Sequence, residues 1–220
     1  MDIKTIAILG GTGKEGKGLG YRWARAGYEI IIGSRVQEKA EQAALELGGL
    51  TKVPDSVRGL TNYEAAQQGD VVVLTVPYQA HRATLEAVKE AVQGKIFIDV
   101  TVPLVPPRVS KVQMPEDGSA LQEAKRILGE NVKVAAAFQN ISHEHLLHDE
   151  EVECDVLVCG EGPETREVVL KLVEDAGLNG WDAGPIENAV VVEGLTSVLI
   201  GINKKYNVHS SGIRITGVNR

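Results

Sequence analysis

The sequence has little of what would mark a secreted, membrane-bound or nucleic-acid-binding protein. Of its 220 residues only two are cysteine, Cys154 and Cys159. Two are too few for a disulfide framework, their spacing is not CxxC, and Cys159 closes an apolar VLVC run. Both therefore read as buried free thiols. Aromatic residues make up 4%, which leaves few rings for a base-stacking surface. The formal net charge is -7, so there is no electrostatic footprint for general nucleic-acid binding. No apolar run reaches the ~20 residues that a bilayer-spanning helix needs. The N-terminal MDIKTIAILGG enters a strand and a glycine turn without the basic, apolar and small-residue segments of a signal peptide. The expectation is a cytoplasmic protein with no membrane or nucleic-acid partner.

What is present is an ordinary globular balance, 43% hydrophobic and 24% charged, at a length that suits one large domain with a small appendage. Short apolar runs alternate with longer amphipathic ones, the signature of βαβ units and a mainly parallel sheet. Strands are expected at Thr5 to Leu9, Glu29 to Gly33, weakly near Ser56 to Leu60, Asp70 to Val76, Lys95 to Val100, Val132 to Phe138 and Asp155 to Cys159. A further short strand ends in Asp182-Ala183-Gly184-Pro185. Helices are expected from about Lys14 to Ala26, Val36 to Leu47 (ended by Gly48 and Gly49), a short one capped by Asn62 and ending at Gly69, Gln79 to Val92, Ser119 to Leu128 and Glu164 to Ala176. Thr101 to Gly118 holds Pro103, Pro106, Pro107 and Pro115 and reads as a loop long enough to have a function. A last helix, about Glu187 to Tyr206, carries Val191, Leu195, Val198 and Ile202 on one face. So apolar a helix is expected to be buried, against its own domain or a second subunit.

Gly10-Gly11-Thr12-Gly13-Lys14-Glu15-Gly16 contains GxGxxG at Gly11, Gly13 and Gly16, between an apolar strand and a helix. In that context the pattern is a dinucleotide-binding fingerprint. Gly11 allows the tight turn, Gly13 the approach of a pyrophosphate, and Gly16 close packing of helix on strand. The N–H groups of residues 12 to 15 would face the phosphates, aided by the helix dipole. The fold expected is a Rossmann-type doubly wound α/β fold. It comprises an NADP-binding domain over 1–184 and a C-terminal helix and tail over 185–220, serving as lid or dimer contact.

The end of the second strand decides between the two nicotinamide cofactors. NAD enzymes usually place a carboxylate there to bond the ribose 2′-hydroxyl. This chain has Gly33-Ser34-Arg35. Ser34 can donate to a 2′-phosphate, Arg35 can form a charged fork with it, and Lys39 lies one helical turn further on. Thr12 adds a hydroxyl. NADP(H) is the cofactor these residues predict.

Ligands of open α/β sheets sit at the carboxyl ends of the strands. Those ends are Val76-Pro77-Tyr78, Thr101-Val102-Pro103 and Phe138-Gln139-Asn140-Ile141-Ser142. They read as apolar or neutral, with no Ser-His-Asp set, catalytic Cys or paired carboxylate. Such walls suit hydride transfer between two bound rings, where positioning carries the rate. The nicotinamide is expected near Val76, Pro77, Val102 and Phe138 to Ser142. His143, His145 and His148, with Glu144, Asp149 and Glu150, do not have a standard zinc spacing, and no metal is expected.

The run GGTGKEGKGLGYRWARAGYEIIIGSR, followed by EKA, resembles the NADPH-dependent reductases of coenzyme F420, an 8-hydroxy-5-deazaflavin. The resemblance extends through DVVVLTVP, VAAAF, CDVLVCG and the late DAGP, and so covers nearly the whole chain. The segment AFQNISHEH departs from the archaeal form. The resemblance implies a Rossmann domain with a small C-terminal portion, a homodimer, and hydride transfer between NADPH and the deazaflavin. It places the dinucleotide on Thr12 to Glu15, Ser34, Arg35 and Lys39, and the nicotinamide by Val76, Val102 and Ser142. Arg108, Lys111, Lys204, Lys205 and Arg214 are candidates for the polyanionic tail of F420. Two rivals share the cofactor site: an NADPH-dependent reductase of a flavin, ferric chelate or small imine, and a non-catalytic NADP(H) sensor.

Overall fold

The computed structural model describes residues 2–147 and 151–218. Eight strands form one sheet: β1 (Thr5–Leu9), β2 (Glu29–Ser34), β3 (Val57–Thr61), β4 (Val71–Leu74), β5 (Ile96–Asp99), β6 (Lys133–Ala136), β7 (Asp155–Gly160) and β8 (Asn179–Gly184). Their order is β3-β2-β1-β4-β5-β6-β7-β8. Every neighbouring pair is parallel except β6 with β7. The chain winds one way from β1 to β3 and the other way from β4 onward, so the switch point lies between β1 and β4. This is the doubly wound, mainly parallel architecture expected.

Period two sorts the strand residues onto two faces. Ile6, Ile8, Ile30, Ile32, Val71 and Val73 join the core under α1 (Lys14–Arg25), α2 (Gln37–Thr51) and α6 (Gly162–Asp175). Ala7, Leu9, Ile31, Val72 and Leu74 join the opposite core. That face is covered by α3 (Asn62–Gln68), α4 (Tyr78–Val88), α5 (Ala120–Leu128) and α7 (Ala189–Tyr206). Burial on both faces is why these strands are continuous apolar runs. Trp23 anchors the first core: its ring is fully buried edge-on to Phe138, and its Nε1 donates to the Leu172 carbonyl at 2.8 Å. Truncating such a side chain to Ala costs roughly 3–5 kcal/mol.

Four expectations about helices are corrected. Helix α2 runs through Gly48 and Gly49 to Thr51 and closes at Lys52 in the left-handed conformation. Gly48 is there for packing, since a Cβ on it would lie 3.0 Å from the Pro54 Cα. The cap of α3 is Thr61, in a full capping box with Glu64, and not Asn62. Helix α4 stops at Val88. In α7 the buried positions include Ala189, Val192, Glu193, Ser197 and Leu199, while Val191, Val198 and Ile202 face outward at 66%, 48% and 37% exposure. The stripe with helical spacing is thus the exposed one. By length and composition the segment Ile186–Tyr206 also reaches the requirement for a bilayer span, contrary to the expectation from the sequence. Its Glu193 carboxylate is fully buried and accepts the Ala120 and Leu121 amides at 2.8 and 3.0 Å, which ties α7 to the start of α5.

The loop after β5 lies against α7. A Cβ on Gly194 would stand 3.2 Å from the Met114 Cε, and one on Gly201 3.7 Å from the Ser110 Cβ. After α7 the tail turns back along β7, where the Asp155 amide donates to the Ile213 carbonyl at 2.7 Å. In the His-rich segment Ser142 caps a short 3-10 turn, His143–His145. His148, Asp149 and Glu150 lie outside the described residues. Among those described, no group of three His, Cys, Asp or Glu side chains is arranged to hold a metal ion.

Candidate dinucleotide site

The glycine turn joins β1 to α1 at the switch point. Gly10 takes the left-handed conformation, φ +69°, where a Cβ would also strike Val76. The tight turn therefore rests on Gly10 as well as on Gly11, whose amide donates to the Ile8 and Gly33 carbonyls. Asn62, buried at the start of α3, accepts the Gly10 amide on its side-chain oxygen at 3.2 Å and so pins the turn to the next βα unit. Sequence reading missed this role because Asn at a helix start is fully explained as a cap.

Gly13 is the N-cap of α1 and is exposed. A Cβ there would meet only the Gly10 carbonyl at 3.6 Å, so the space above it is open. The first helical bond runs from the Lys17 amide to the Gly13 carbonyl. The preceding amides of the first turn have no intrahelical acceptor. Gly16 is different: a Cβ would come within 2.6 Å of the Gly11 Cα and 2.7 Å of the Thr75 Oγ1. Its bareness holds α1 against the turn and β4, as expected. Lys14 is exposed. Glu15 is half-buried, but its Oε1 is sealed from solvent with no partner among the described residues, and burial pushes its carboxyl up to about 8.

Ser34 ends β2, buried, with its Oγ accepting the Val36 amide at 3.3 Å and its hydroxyl hydrogen free to donate. Arg35 and Lys39 are exposed one turn apart at the start of α2. A cavity of about 260 Å³ is lined by Gly10, Thr12, Gly13, Ser34, Arg35, Lys39, Val76 and Pro77, among others. It adjoins a larger one of about 640 Å³ between the end of β2, Thr61 to Tyr63 and the near face of α4. The two share Ser34, Arg35, Asn62, Pro77, Ala80 and Thr84. The structure thus gathers Thr12, Gly13, Ser34, Arg35, Lys39, Val76 and Pro77 into one trough. Among the described residues no carboxylate lines either cavity, so the trough suits a ligand with several phosphates.

Three residues expected beside the nicotinamide line neither cavity. Val102 is half-buried on the next strand end. Its neighbour Thr101 donates from Oγ1 to the Val76 carbonyl at 3.4 Å. Ser142 caps its 3-10 turn. Phe138 corrects the expectation of a wall: at φ +73° its ring turns into the core against Trp23 and is 1% exposed. It supports the strand end from beneath.

The strand ends are also less neutral than they read. Asp99, the last residue of β5, is buried and holds His81 of α4, with Nε2 to Oδ2 at 2.6 Å. The other ring nitrogen faces Glu123 of α5 at 3.3 Å. Glu123 also accepts from Tyr78 at 3.2 Å and Arg82 at 2.5 Å. Burial works against the charged ring, but Asp99 and Glu123 outweigh it and hold His81 above the usual imidazole range. Burial likewise pushes Glu193 up to about 8. These residues lie on four separate elements, so no local motif shows them. The available signal was a charge inside an apolar run, as in IFIDV and VVVEGL.

A doubly wound sheet with a bare glycine cradle at its switch point, and a hydroxyl and two cations at the end of β2, defines a dinucleotide-binding protein of the NADP type. Residues 5–103 match the family model described as NADP oxidoreductase, coenzyme F420-dependent. The chain is 41% identical over 221 residues to the F420-dependent NADP reductase of Methanocaldococcus jannaschii, covering 97% of this chain and 98% of that one. To the F420-dependent NADP reductase of Methanothermobacter marburgensis it is 44% identical over 221 residues, with the same coverage. In fold it is similar to a candidate F420-dependent NADP reductase from an Arthrobacter species, at TM-score 0.79 and 21% identity, over 98% of this chain and 100% of that one. The chain belongs to the F420-dependent NADP reductase family.

Proposed function

We infer that this protein is an oxidoreductase that moves a hydride between NADP(H) and coenzyme F420. The observation that carries the reading is the trough in which the open Gly13 cradle and the Ser34, Arg35 and Lys39 donors meet at the switch point. The chain's membership of the family, over nearly its whole length, supplies the acceptor. When bound, NADPH supplies the hydride and the deazaflavin ring takes it up.

The amides of Thr12, Lys14 and Glu15, at the N-terminus of α1, would receive the pyrophosphate between Gly11, Gly13 and Gly16, with the Lys14 side chain beside it, while the Gly13 amide is turned to the Gly10 carbonyl at 3.2 Å. Ser34 donates to the 2′-phosphate, Arg35 grips it with a planar fork, and Lys39 adds a point charge. Val76 and Pro77 wall the nicotinamide end, with Val102 and Ser142 contributed by the next strand ends and Phe138 as the support below. These walls would exclude water and position the two rings for transfer, and such positioning can supply several kcal/mol of the barrier without an acid or base in contact. Gln139, just past β6, has a buried side-chain oxygen with no donor among the described residues, the chemistry that a heterocyclic N–H would satisfy.

Segment 185–220 serves as lid and dimer contact on this reading. The exposed stripe Val191, Val198 and Ile202 suits a second copy of the chain, giving a homodimer. Arg108 and Lys111 on the loop against α7, Lys204 and Lys205 in its last turn, and Arg214 on the tail are exposed cations able to meet an acidic tail. The setting is the cytoplasm, with two small coenzymes as partners and neither nucleic acid nor membrane.

The test is direct. Purified protein should oxidise NADPH only as the deazaflavin absorbance is lost, and deuterium from the stereospecifically labelled cofactor should appear on the deazaflavin. Turnover of a flavin or ferric chelate with F420 left oxidised would assign another acceptor. Tight NADPH binding with no turnover of any acceptor would make the protein a sensor.

A further inference from the structure

The trough leaves unexplained why a histidine, an aspartate and a glutamate are buried together beside it. His81, Asp99 and Glu123 are 0%, 1% and 3% exposed. Burying charge is costly unless it is paired and hydrogen-bonded, and here every member is. The pairing also reaches the strand ends. The Asp99 oxygen not held by His81 accepts the Thr101 amide at 2.9 Å, and the Asp99 carbonyl accepts Gln139 Nε2 at 2.7 Å. Thr101 in turn donates to the Val76 carbonyl. Asp99 therefore links the ends of β4, β5 and β6, and His81 fixes Asp99.

We propose that His81, clamped as an imidazolium between Asp99 and Glu123, is a positioning residue that holds the ends of β4, β5 and β6 in register for hydride transfer. Both ring nitrogens face carboxylates, so both N–H groups must be present for both contacts to be made. Loss of one proton leaves one carboxylate oxygen facing a bare nitrogen lone pair, and the clamp opens on that side. The charged groups around the ring are Asp99 on β5, Glu123 on α5, Arg82 and the Tyr78 hydroxyl on α4, and Glu193 on α7. Arg126 adds its charge at 4.0 Å from Glu123. Burial keeps Glu193 protonated up to about 8, so below that pH it adds no charge, and the two carboxylates in direct contact with the ring, Asp99 and Glu123, are what favour a cation at His81. A movement of about 1 Å at the reacting atoms can cost on the order of a hundredfold in rate, so a clamp remote from the chemistry has leverage.

The proposal rests on the hydride-transfer reading above, and the experiment separates the two. In the wild-type protein without coenzymes, the His81 ring would be titrated by NMR. Single-turnover hydride transfer, with a deuterium isotope effect as its marker, would be followed over the same pH range. The expected result is a fall in rate at saturating NADPH, with its midpoint at the His81 titration. His81→Gln keeps one donor without the charge. It should lower kcat roughly tenfold to a hundredfold, leave the KM for NADPH unchanged and abolish the alkaline fall. Asp99→Asn should match it, and the pair together should cost no more than either alone. A rate limb more than about one pH unit from the His81 midpoint would overturn the proposal, and that comparison needs no variant. So would a folded His81→Gln protein with wild-type kcat and pH profile. No F420 turnover by the wild type would instead sink the functional reading, while the NMR titration would still report whether the clamp exists.

Discussion

Gly13 and Gly16 lie three residues apart in one motif, and the structure gives them opposite jobs. Gly13 has an ordinary φ of -74° and open space where a Cβ would go. Gly13→Val should therefore cost no more than about 1 kcal/mol of stability, the scale of an altered N-cap. At Gly16 the added Cβ of an Ala would overlap the Gly11 Cα at 2.6 Å, backbone against backbone, and something must shift. Overpacking of that kind costs about 1–3 kcal/mol. For a chain of this size that is a melting point lower by roughly 2–12 °C. Ligand response should run the other way. NADPH at a hundred times its Kd stabilises the wild type by about 2.7 kcal/mol, or roughly 5–10 °C. Gly13→Val should lose that shift, because its side chain would stand where the pyrophosphate is proposed to approach, while Gly16→Ala should keep part of it. Thermal melts of the three proteins with and without NADPH decide the matter. A Gly13→Val protein that melts near the wild-type temperature and still shifts with NADPH would mean that the phosphates bind elsewhere. A Gly16→Ala protein of full stability would refute the packing role.

Three further outcomes follow from the same geometry. Arg35→Ala should weaken NADPH binding by on the order of 2 kcal/mol, at least tenfold, and leave NADH nearly unchanged in calorimetry; equal losses for both would remove Arg35 from the 2′-phosphate. Glu15 is protonated below about 8 in the folded chain, against an ordinary 4.5, so stability should fall as pH rises from 4.5 to about 8, and NADPH affinity as pH rises through about 8. Glu15→Gln should remove the alkaline loss of affinity, and a wild-type binding curve flat to pH ~9 would contradict the assignment. Val198→Asp places a charge in the exposed α7 stripe; sedimentation should show a dimer for the wild type and a monomer for the variant, and a monomeric wild type would end the dimer reading.

Most of the fold was legible because both of its signals are local. Period two and period 3.6 are written into each run of residues, and a strand buried on both faces shows as VVVL or EIII whatever surrounds it. Boundaries failed where tertiary contact overrode a local rule. Gly48 and Gly49 read as helix terminators, yet Pro54 packs on Gly48 and the helix continues. Helix α7 shows the harder limit. Its sequence is apolar on more than one side, so periodicity finds stripes without saying which one faces the sheet. Position 193 decides it: a carboxylate that must reach the Ala120 and Leu121 amides turns its own face inward and leaves Val191, Val198 and Ile202 outside.

The site divides along the same line. The half proposed to hold phosphates was readable because a glycine cradle and the residues at the end of β2 are two short segments, each with a chemistry that few alternatives explain. Its strand-end half was not, because what matters there is assembled from separate elements. Phe138 reads as a wall residue at a strand end, and only its positive φ sends the ring to Trp23. Asp99 reads as one polar residue within an apolar strand, and only the fold brings His81 from 18 positions away to within 2.6 Å. A charge embedded in an apolar run should therefore be read as half of a pair whose other half is elsewhere. Desolvation makes an unpaired buried carboxylate too costly to persist, so a carboxylate in such a run implies a partner on another element. Applied to IFIDV and VVVEGL, that inference points to a polar cluster beneath the strand ends, though not to the histidine at its centre.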